Sequence, residues 1–420
     1  MNRLKGMFDI HADAGYYAAI KAAIQAVAHS HHLARIETPI LESSDLFHRG
    51  MGADTDVIRK ETYTFNDRAS RSLTLRPEGT AGVVRAFIEA KLYARPEPVK
   101  KFYYDGPMFR YERPQKGRFR QFHQMGVEVF AEASPSVDAD LIHASVAILE
   151  HLGLTAHLEL NQLSNTSKPD YKAALKAHLK PHLDSLCADC QTRYADNPLR
   201  ILDCKIDATH TALQNAPMPL DYLSDEETAY FNALQDHLKA LEIPFTVNNH
   251  LVRGLDYYTG MVFELKVDEA ILGAQNTVAG GGRYDDLVHT LGGPALGATG
   301  FAFGIERLVV ALKAAEIAPL TDPLDLYVMV LDASVTDYAL QLVKALRHAG
   351  CAVMMSHHDG SMKKQFKTVT QLDAAYAAIL GPDELASGTV TFKHQASGTA
   401  HRLNLSDTAT MTRILHGGDA

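Results

Sequence analysis

Apolar positions along the chain switch between two periods. Tyr16, Ile20, Ile24 and Val27 recur at helical spacing behind Asp13, a suitable N-cap residue, so the pattern predicts a helix over 13–30. Ala34 to Leu41 reads as extended, with Pro39 marking an edge or a break. Val99 to Arg110 is rich in aromatic and β-branched residues. Gln121 to Phe130 alternates: Met125, Val127 and Val129 share one face, and Phe122, Gln124, Gly126 and Glu128 the other. Joined by the polar, basic stretch Tyr111–Arg120, these two strands make a long antiparallel hairpin. One face belongs to a core. The other, with an amide and a carboxylate at matched spacing, predicts the floor of a polar pocket.

Residues 135–250 read as mainly helical, broken at Pro169, Pro181, Pro198, Pro217, Pro219 and Pro244, and about 165–240 reads as an inserted helical subdomain. Glycines then cluster at Gly280, Gly281 and Gly282 and at Gly297, Gly300 and Gly304, followed by an amphipathic helix through Ile305, Leu308, Val309 and Leu312. Residues 316–323, with Pro319 and Pro323, read as a linker. Beyond it come a strand (Asp325–Leu331), a helix (Tyr338–His348) and two further strands (Cys351–Ser356, Ala374–Leu380). This order predicts a small α/β domain over 324–420 after a first domain over 1–320.

The 420 residues are 46% hydrophobic and 22% charged, which excludes a disordered chain. Forty-one bases against 50 acids give a net charge of −9, so any nucleic-acid contact must come from a local basic patch. Four cysteines do not make a disulfide framework, and they point to a reducing compartment. No apolar run approaches the ~18 residues of a membrane span, and MNRLKGMFDI lacks a signal peptide's apolar segment. The expected location is the cytoplasm.

The hairpin loop holds Arg110, Arg113, Lys116, Arg118 and Arg120, interleaved with Phe119 and Phe122. Guanidinium forks match phosphate oxygens and rings stack on bases. A solvated hairpin tip is the plainer reading, but the neighbouring polar strand face favours phosphate binding. Gly300–Arg307 runs from strand to helix without dinucleotide-fingerprint spacing. Its glycines either allow close packing or admit a purine with Arg307 stacked on it. Leu251–Gly260 offers Arg253 as a fixed cation, with Tyr257 and Tyr258 as rigid donors or packing residues. Glu78, within Arg76–Thr80, is a turn residue unless it faces a cationic ligand group. Cys187 and Cys190 form a C-x2-C with Cys204 following, and His178 and His182 complete four ligands only on paper. The missing second C-x2-C argues against zinc, and no protein metal site is expected.

Together these segments resemble the histidyl-tRNA synthetases, a family of class II aminoacyl-tRNA synthetases. RIETPILE resembles motif 1, FYYDGPMFRYERPQKGRFRQFHQMGVEVF motif 2 and GFAFGIERL motif 3. LVRGLDYYTG and AGGGRYDDLV resemble the two peptides peculiar to the histidine enzymes, and TLRPEGTAG is also typical of them. The chain departs from the family's pattern at Lys5–Met7, at Asp286 and over Asn161–Lys168. The resemblance implies an α+β chain: an antiparallel-sheet class II catalytic domain with a helical insertion, then an α/β anticodon-binding domain. It implies a homodimer, through motif 1.

By the same resemblance, Arg110 holds the α-phosphate and the attacking carboxylate. Glu112 and Arg113 contact ATP, and Phe122 and Arg307 sandwich adenine. Glu78, Thr80 and Gln124 hold the substrate α-amino group. Glu128, Tyr257 and Tyr258, with Tyr284 nearby, recognise imidazole. Arg253 supplies positive charge beside the α-phosphate. Gln115, Lys116, Arg118 and Arg120 meet the tRNA acceptor end, and the basic run Met362–Lys367 is the visible element for the anticodon. The expected activity is ATP- and Mg²⁺-dependent ligation of L-histidine to its tRNA. The alternative is a histidine-binding regulatory subunit of ATP phosphoribosyltransferase. The retained Arg110, Arg253 and Arg307 and the extra domain speak against it.

Overall fold

The computed structural model describes residues 2–418 apart from 53, 54, 56, 205, 274, 275, 322 and 358–360, so Asp322 of the expected linker lies outside the described residues. The chain divides into two compact units, Met1–Pro319 and Leu320–Ala420.

The strands of the first unit are β1 (Ala34–Arg35), β2 (Leu41–Ser43), β3 (Tyr63–Asn66), β4 (Ser72–Leu75), β5 (Lys100–Phe109), β6 (Gln121–Phe130), β7 (His157–Gln162), β8 (Phe245–Val247), β9 (Met261–Lys266), β10 (Thr277–Arg283) and β11 (Ala298–Gly304). Eight of them form one sheet in the order β1-β5-β6-β11-β10-β9-β7-β8, and β2-β4-β3 form a small second sheet. In the large sheet only the end pairs β1–β5 and β7–β8 are parallel. The rest is antiparallel.

The hairpin β5–β6 pairs without a slip from Lys100↔Phe130 to Phe109↔Gln121. Its alternation therefore sorts side chains cleanly, because a one-residue shift would exchange the faces. Met125, Val127 and Val129 enter a core with Ile24, Val27, Ile142 and Leu308 from three helices. Phe122, Gln124 and Glu128 take the other face. There β10 and β11 contribute Gly280, Gly282 and Gly300, with Gly282 paired to Gly300. A Cβ on Gly280 would collide with the Arg253 guanidinium, and one on Gly300 with the Glu128 carboxylate. Bare backbone here lets long polar side chains lie flat on the sheet.

Several expectations need correction. The first helix runs Ala14–Ser30, but Asp13 makes no capping hydrogen bond and pairs instead with Lys313 at 2.6 Å. The stretch 34–41 is strand only at its ends, broken around Pro39. Residues 135–250 hold the long helices Pro135–His151, Lys168–Leu179, Ala188–Asp196 and Asp225–Ala240. They also hold β7, a full member of the large sheet between β9 and β8. Its sequence HLELNQ is short and poor in β-branched residues, so local propensity gives little sign of it.

In the second unit, β12 (Leu326–Val330), β13 (Val353–Met355), β14 (Tyr376–Leu380), β15 (Thr389–His394) and β16 (Ala400–Asn404) form a sheet in the order β13-β12-β14-β15-β16. The first three strands are parallel, and β15 and β16 add an antiparallel hairpin absent from the expectation. Leu326, Val328, Leu346, Val390 and Phe392 lie at its core. The run Met362–Lys367 opens a helix, Met362–Gln371, that buries Gln365 and Val369 and exposes Lys363, Lys364 and Lys367.

Candidate active site

The polar face of the large sheet carries a cavity of about 710 Å³. Its walls come from the turn after β4, the open end of the hairpin β5–β6, the peptide 253–258, and β10 and β11. At one end lies Glu128, 1% exposed on the floor strand. Thr80 Oγ1 donates to its Oε1 at 2.7 Å, and the Tyr284 hydroxyl donates to Oε2. Glu128 is not itself on the wall; Thr80 and Tyr284, which are, stand in front of it. Burial pushes its carboxyl pKa up to about 8, only partly offset by those two hydrogen bonds, and the charge of Glu78 adds to the rise. Gly300 is paired opposite Glu128, and any side chain there would overlap the carboxylate. The rings of Tyr257, Tyr258 and Tyr284 form a cluster, with centroids 4.7 Å and 5.4 Å apart along the chain of contacts. Burial raises the pKa of all three phenols, so they stay neutral donors.

Glu78 accepts from the backbone N–H groups of Thr80 at 2.7 Å and Ala81 at 2.8 Å. It caps the first turn of the helix Thr80–Glu89, as a turn residue does, and it also lies on the cavity wall. Burial raises its pKa as well. Gln124 lies on the same wall, with its side-chain oxygen buried and unpartnered.

The other end is rich in arginine. Arg110 donates to the Pro77 carbonyl at 2.8 Å and lies 5.4 Å from the centre of the Phe122 ring. Glu112 sits between Arg118, at 3.0 Å, and Arg110, at 3.9 Å. Arg253 pairs with Glu264 on β9, and its Nε is buried without a partner. Burial is the largest influence and opposes the Arg253 charge, but Glu264 together with Tyr258 and Tyr257 holds the pKa above the ordinary value. Arg307 donates to the Thr277 carbonyl at 2.5 Å; burial, and then the neighbouring Arg118, bring its pKa down to about 10. Arg110, Arg118, Arg253 and Arg307 therefore face one space against Glu112 and Glu264, an arrangement suited to a polyanion.

Phe119 and Cys204 also reach the cavity wall, whereas Arg113, Gln115, Lys116 and Arg120 do not. Arg113 and Gln115 are exposed on the loop, and Lys116 donates to the Ile271 carbonyl at 2.9 Å. Arg120 lies 3.9 Å over the Tyr111 ring and donates to the Glu112 carbonyl. His178 Nε2 donates to the Ala212 carbonyl, and neither it nor His182 joins the cysteines. Among the described residues, three groups of His, Cys, Asp or Glu side chains have metal-ligand spacing, and one of them, Cys187, Cys190, Cys204 and Asp207, reaches the cavity wall through Cys204.

Sequence reasoning missed three supporting groups. Glu264 holds Arg253. The Arg283 guanidinium meets Asp138 in a buried pair at 2.6 Å and 3.1 Å, shared with the Tyr230 hydroxyl at 2.8 Å. Glu306 accepts from the His123 backbone and from Tyr17. Of these, Arg283 and Glu306 carried a local signal, their places beside Tyr284 in AGGGRYDDLV and beside Arg307 in GFAFGIERL.

Comparison with known proteins places this geometry. The family model for histidyl-tRNA synthetase matches residues 7–308, and that for the anticodon binding domain residues 325–413. The histidine–tRNA ligase of Bacillus velezensis is 47% identical over 375 residues, covering 89% of this chain and 88% of its own. Histidine–tRNA ligase 1 of Shouchella clausii is 44% identical over 411 residues, covering 97% and 96%. The apo histidyl-tRNA synthetase of S. aureus superposes with a TM-score of 0.83 at 35% identity, covering 98% of this chain and 100% of that one. The antiparallel-dominated sheet followed by a C-terminal anticodon-binding domain is the class II synthetase fold. On the match over 7–308 and these full-length relatives, the chain belongs to the histidyl-tRNA synthetase family.

Proposed function

We propose that the chain is a histidine–tRNA ligase: it activates L-histidine with ATP and transfers it to the 3′ end of its tRNA. The observation that carries this reading is the polarity of the cavity. Buried carboxylates stand at one end and arginines at the other, in a chain whose full-length relatives are histidine–tRNA ligases. In this reading Glu128, with Tyr257, Tyr258 and Tyr284, takes the imidazole N–H groups, and Glu78, Thr80 and Gln124 take the ammonium. Such a hydrogen-bonding pocket rejects analogues lacking those groups by about 10⁴–10⁵. A histidine carboxylate oxygen attacks the α-phosphorus of ATP, the bond to the bridging oxygen breaks, and pyrophosphate leaves. Arg110 and Arg253 offset the charge that develops, and no side chain acts as nucleophile. Glu112 and Arg113 contact the nucleotide, and Phe122 and Arg307 hold adenine. The tRNA hydroxyl then attacks the activated carbonyl and AMP leaves.

Mg²⁺ adds positive charge on the triphosphate. Glu264 and Glu112 are already paired with arginines, so we place the ion on the phosphates rather than in a protein cage. We assign residues 1–320 to catalysis, with the insertion at about 165–240, and 324–420 to the anticodon. Gln115, Lys116, Arg118 and Arg120 meet the acceptor end. The assembly is a cytoplasmic homodimer; Ile40, Leu41 and Phe65, exposed apolar residues of the motif 1 region and the small sheet, support the interface. No helix among the described residues is long and apolar enough to cross a membrane.

The test is amino-acid-dependent ATP–pyrophosphate exchange with each of the twenty amino acids. Histidine alone should support exchange. Histidine binding by calorimetry without exchange would overturn the ligase reading in favour of the regulatory subunit, which the ligase relatives and the anticodon-domain match do not favour.

A further inference from the structure

The helical insertion brings together four side chains that the activity does not use. Cys187 precedes the helix Ala188–Asp196 and Cys190 lies in its first turn; Cys204 and Asp207 follow the short helix Pro198–Ile201. Their sulfur and carboxylate atoms all lie within 4.8 Å of one another. The Cys187 and Cys204 sulfurs are 3.7 Å apart, and Cys204 Sγ is 3.7 Å from Asp207 Oδ2. Zinc with Zn–S bonds of ~2.3 Å forms a tetrahedron whose edges are ~3.8 Å, so these separations are those of ligands around one ion. They are far from a disulfide, and all the cysteines are free thiols. Cys190, Cys204 and Asp207 are buried.

We propose that Cys187, Cys190, Cys204 and Asp207 bind a structural Zn²⁺. The spacing is two matched pairs, C-x2-C and C-x2-D, thirteen residues apart. A search for a second C-x2-C passes over the second pair because its last member is an aspartate. Soft thiolates select zinc over magnesium or calcium. Four protein ligands fill the tetrahedron and leave no position for water, which makes the site structural rather than catalytic. The backbone already meets the ligands' charge: the Asp207 N–H points to Cys204 Sγ at 3.4 Å, and the Cys187 N–H donates to the Asp207 carboxylate at 3.0 Å. On binding, the three thiols release their protons to solvent.

The site ties down a segment with a use elsewhere. Between the two ligand pairs, Asn197 donates to Asp256, and Arg200 lies against Gly254, both in the peptide that carries Arg253, Tyr257 and Tyr258. The ion would fix the insertion where it supports that peptide.

The experiment measures zinc in the purified full-length chain by elemental analysis, then replaces it with Co²⁺. We expect about one zinc per chain. We also expect a thiolate-to-cobalt charge-transfer band, and a melting temperature that falls on chelation and recovers with Zn²⁺ but not Mg²⁺. Cys204→Ser and Asp207→Ala should lose the metal, while Cys351→Ser keeps it. Asp207→Cys should keep it and strengthen the charge-transfer band by about a third, from four thiolates in place of three. That variant and the unmodified chain keep the test decisive if the loss variants fold poorly. A chain that retains no zinc, gives no cobalt band and leaves all four thiols open to reagent overturns the proposal, as does iron in place of zinc. None of these readouts depends on ligase activity.

Discussion

Glu128→Gln should make the protein more stable as it makes it less active, and the gain should grow with pH. The carboxyl is buried, with a pKa near 8 in the folded chain against about 4.5 unfolded. The folded state thus holds a proton that the unfolded state has released, so the stability this group confers is complete below pH 4.5 and drains away as pH rises toward 8. The slope is about 1.4 kcal/mol per pH unit, so two units between pH 5.5 and 7.5 remove about 3 kcal/mol. Glutamine keeps the length and an acceptor for Thr80 and Tyr284 but does not titrate. With an unfolding entropy of about 2 cal/mol/K per residue over the first unit, the difference corresponds to a melting-temperature gap wider by about 4 °C at the higher pH. Calorimetric scans of both chains at the two pH values, without histidine, read this gap, because titrating groups other than the coupled Glu78 cancel in the difference. A gap that stays constant or narrows between pH 5.5 and 7.5 would show that the carboxyl is not held protonated by burial, and the reasoning would fail.

Three further outcomes follow from the geometry. Arg253→His should lower the adenylation rate by about 10²–10³-fold with little change in histidine KM, because its charge acts where negative charge develops; pre-steady-state pyrophosphate release separates the two, and a rise in KM at constant kcat would refute the role. Gly280→Ala places a methyl group against the Arg253 guanidinium, the movable end of a long side chain. Exchange activity should therefore fall while the melting temperature holds, and equal loss of both would mean that backbone rather than Arg253 had moved. Arg283→Met leaves Asp138 buried with its charge unmatched and should cost about 3–5 kcal/mol of unfolding free energy in denaturant titration.

What the sequence made legible is what local pattern determines. The alternation of Gln121–Phe130 already separates Met125, Val127 and Val129 from Phe122, Gln124 and Glu128, because strand geometry leaves no other choice once pairing is continuous. What stayed hidden depends on contacts between distant segments. Arg283 finds Asp138 across 145 residues, and Arg253 finds Glu264 only because the strand β9 returns beneath the loop. The strand β7 owes its place to its neighbours more than to its own residues. Charge and interleaved rings mark the loop Gln115–Arg120 in the sequence, but folding uses part of that charge internally, at the Ile271 carbonyl and over Tyr111.

The same folding gives the cavity its polarity, and that polarity is costly. Glu78 and Glu128 are buried close together, and burial lifts both pKa values, that of Glu128 to about 8, so the free enzyme holds a proton on Glu128 against the usual preference of carboxyls. At the far end the Arg307 pKa is lowered by burial and by Arg118. Buried acids at one end and an excess of arginine at the other are poor for stability but good for orientation. In the proposed function an ammonium and an imidazole would relieve the carboxylate end and a triphosphate the arginine end, and the reverse placement would worsen both. A substrate whose cationic groups sit at one end therefore enters with its own carboxylate pointing toward the arginines. Electrostatics alone then brings the attacking oxygen to the side where the α-phosphate is held, before any closing motion of the loop.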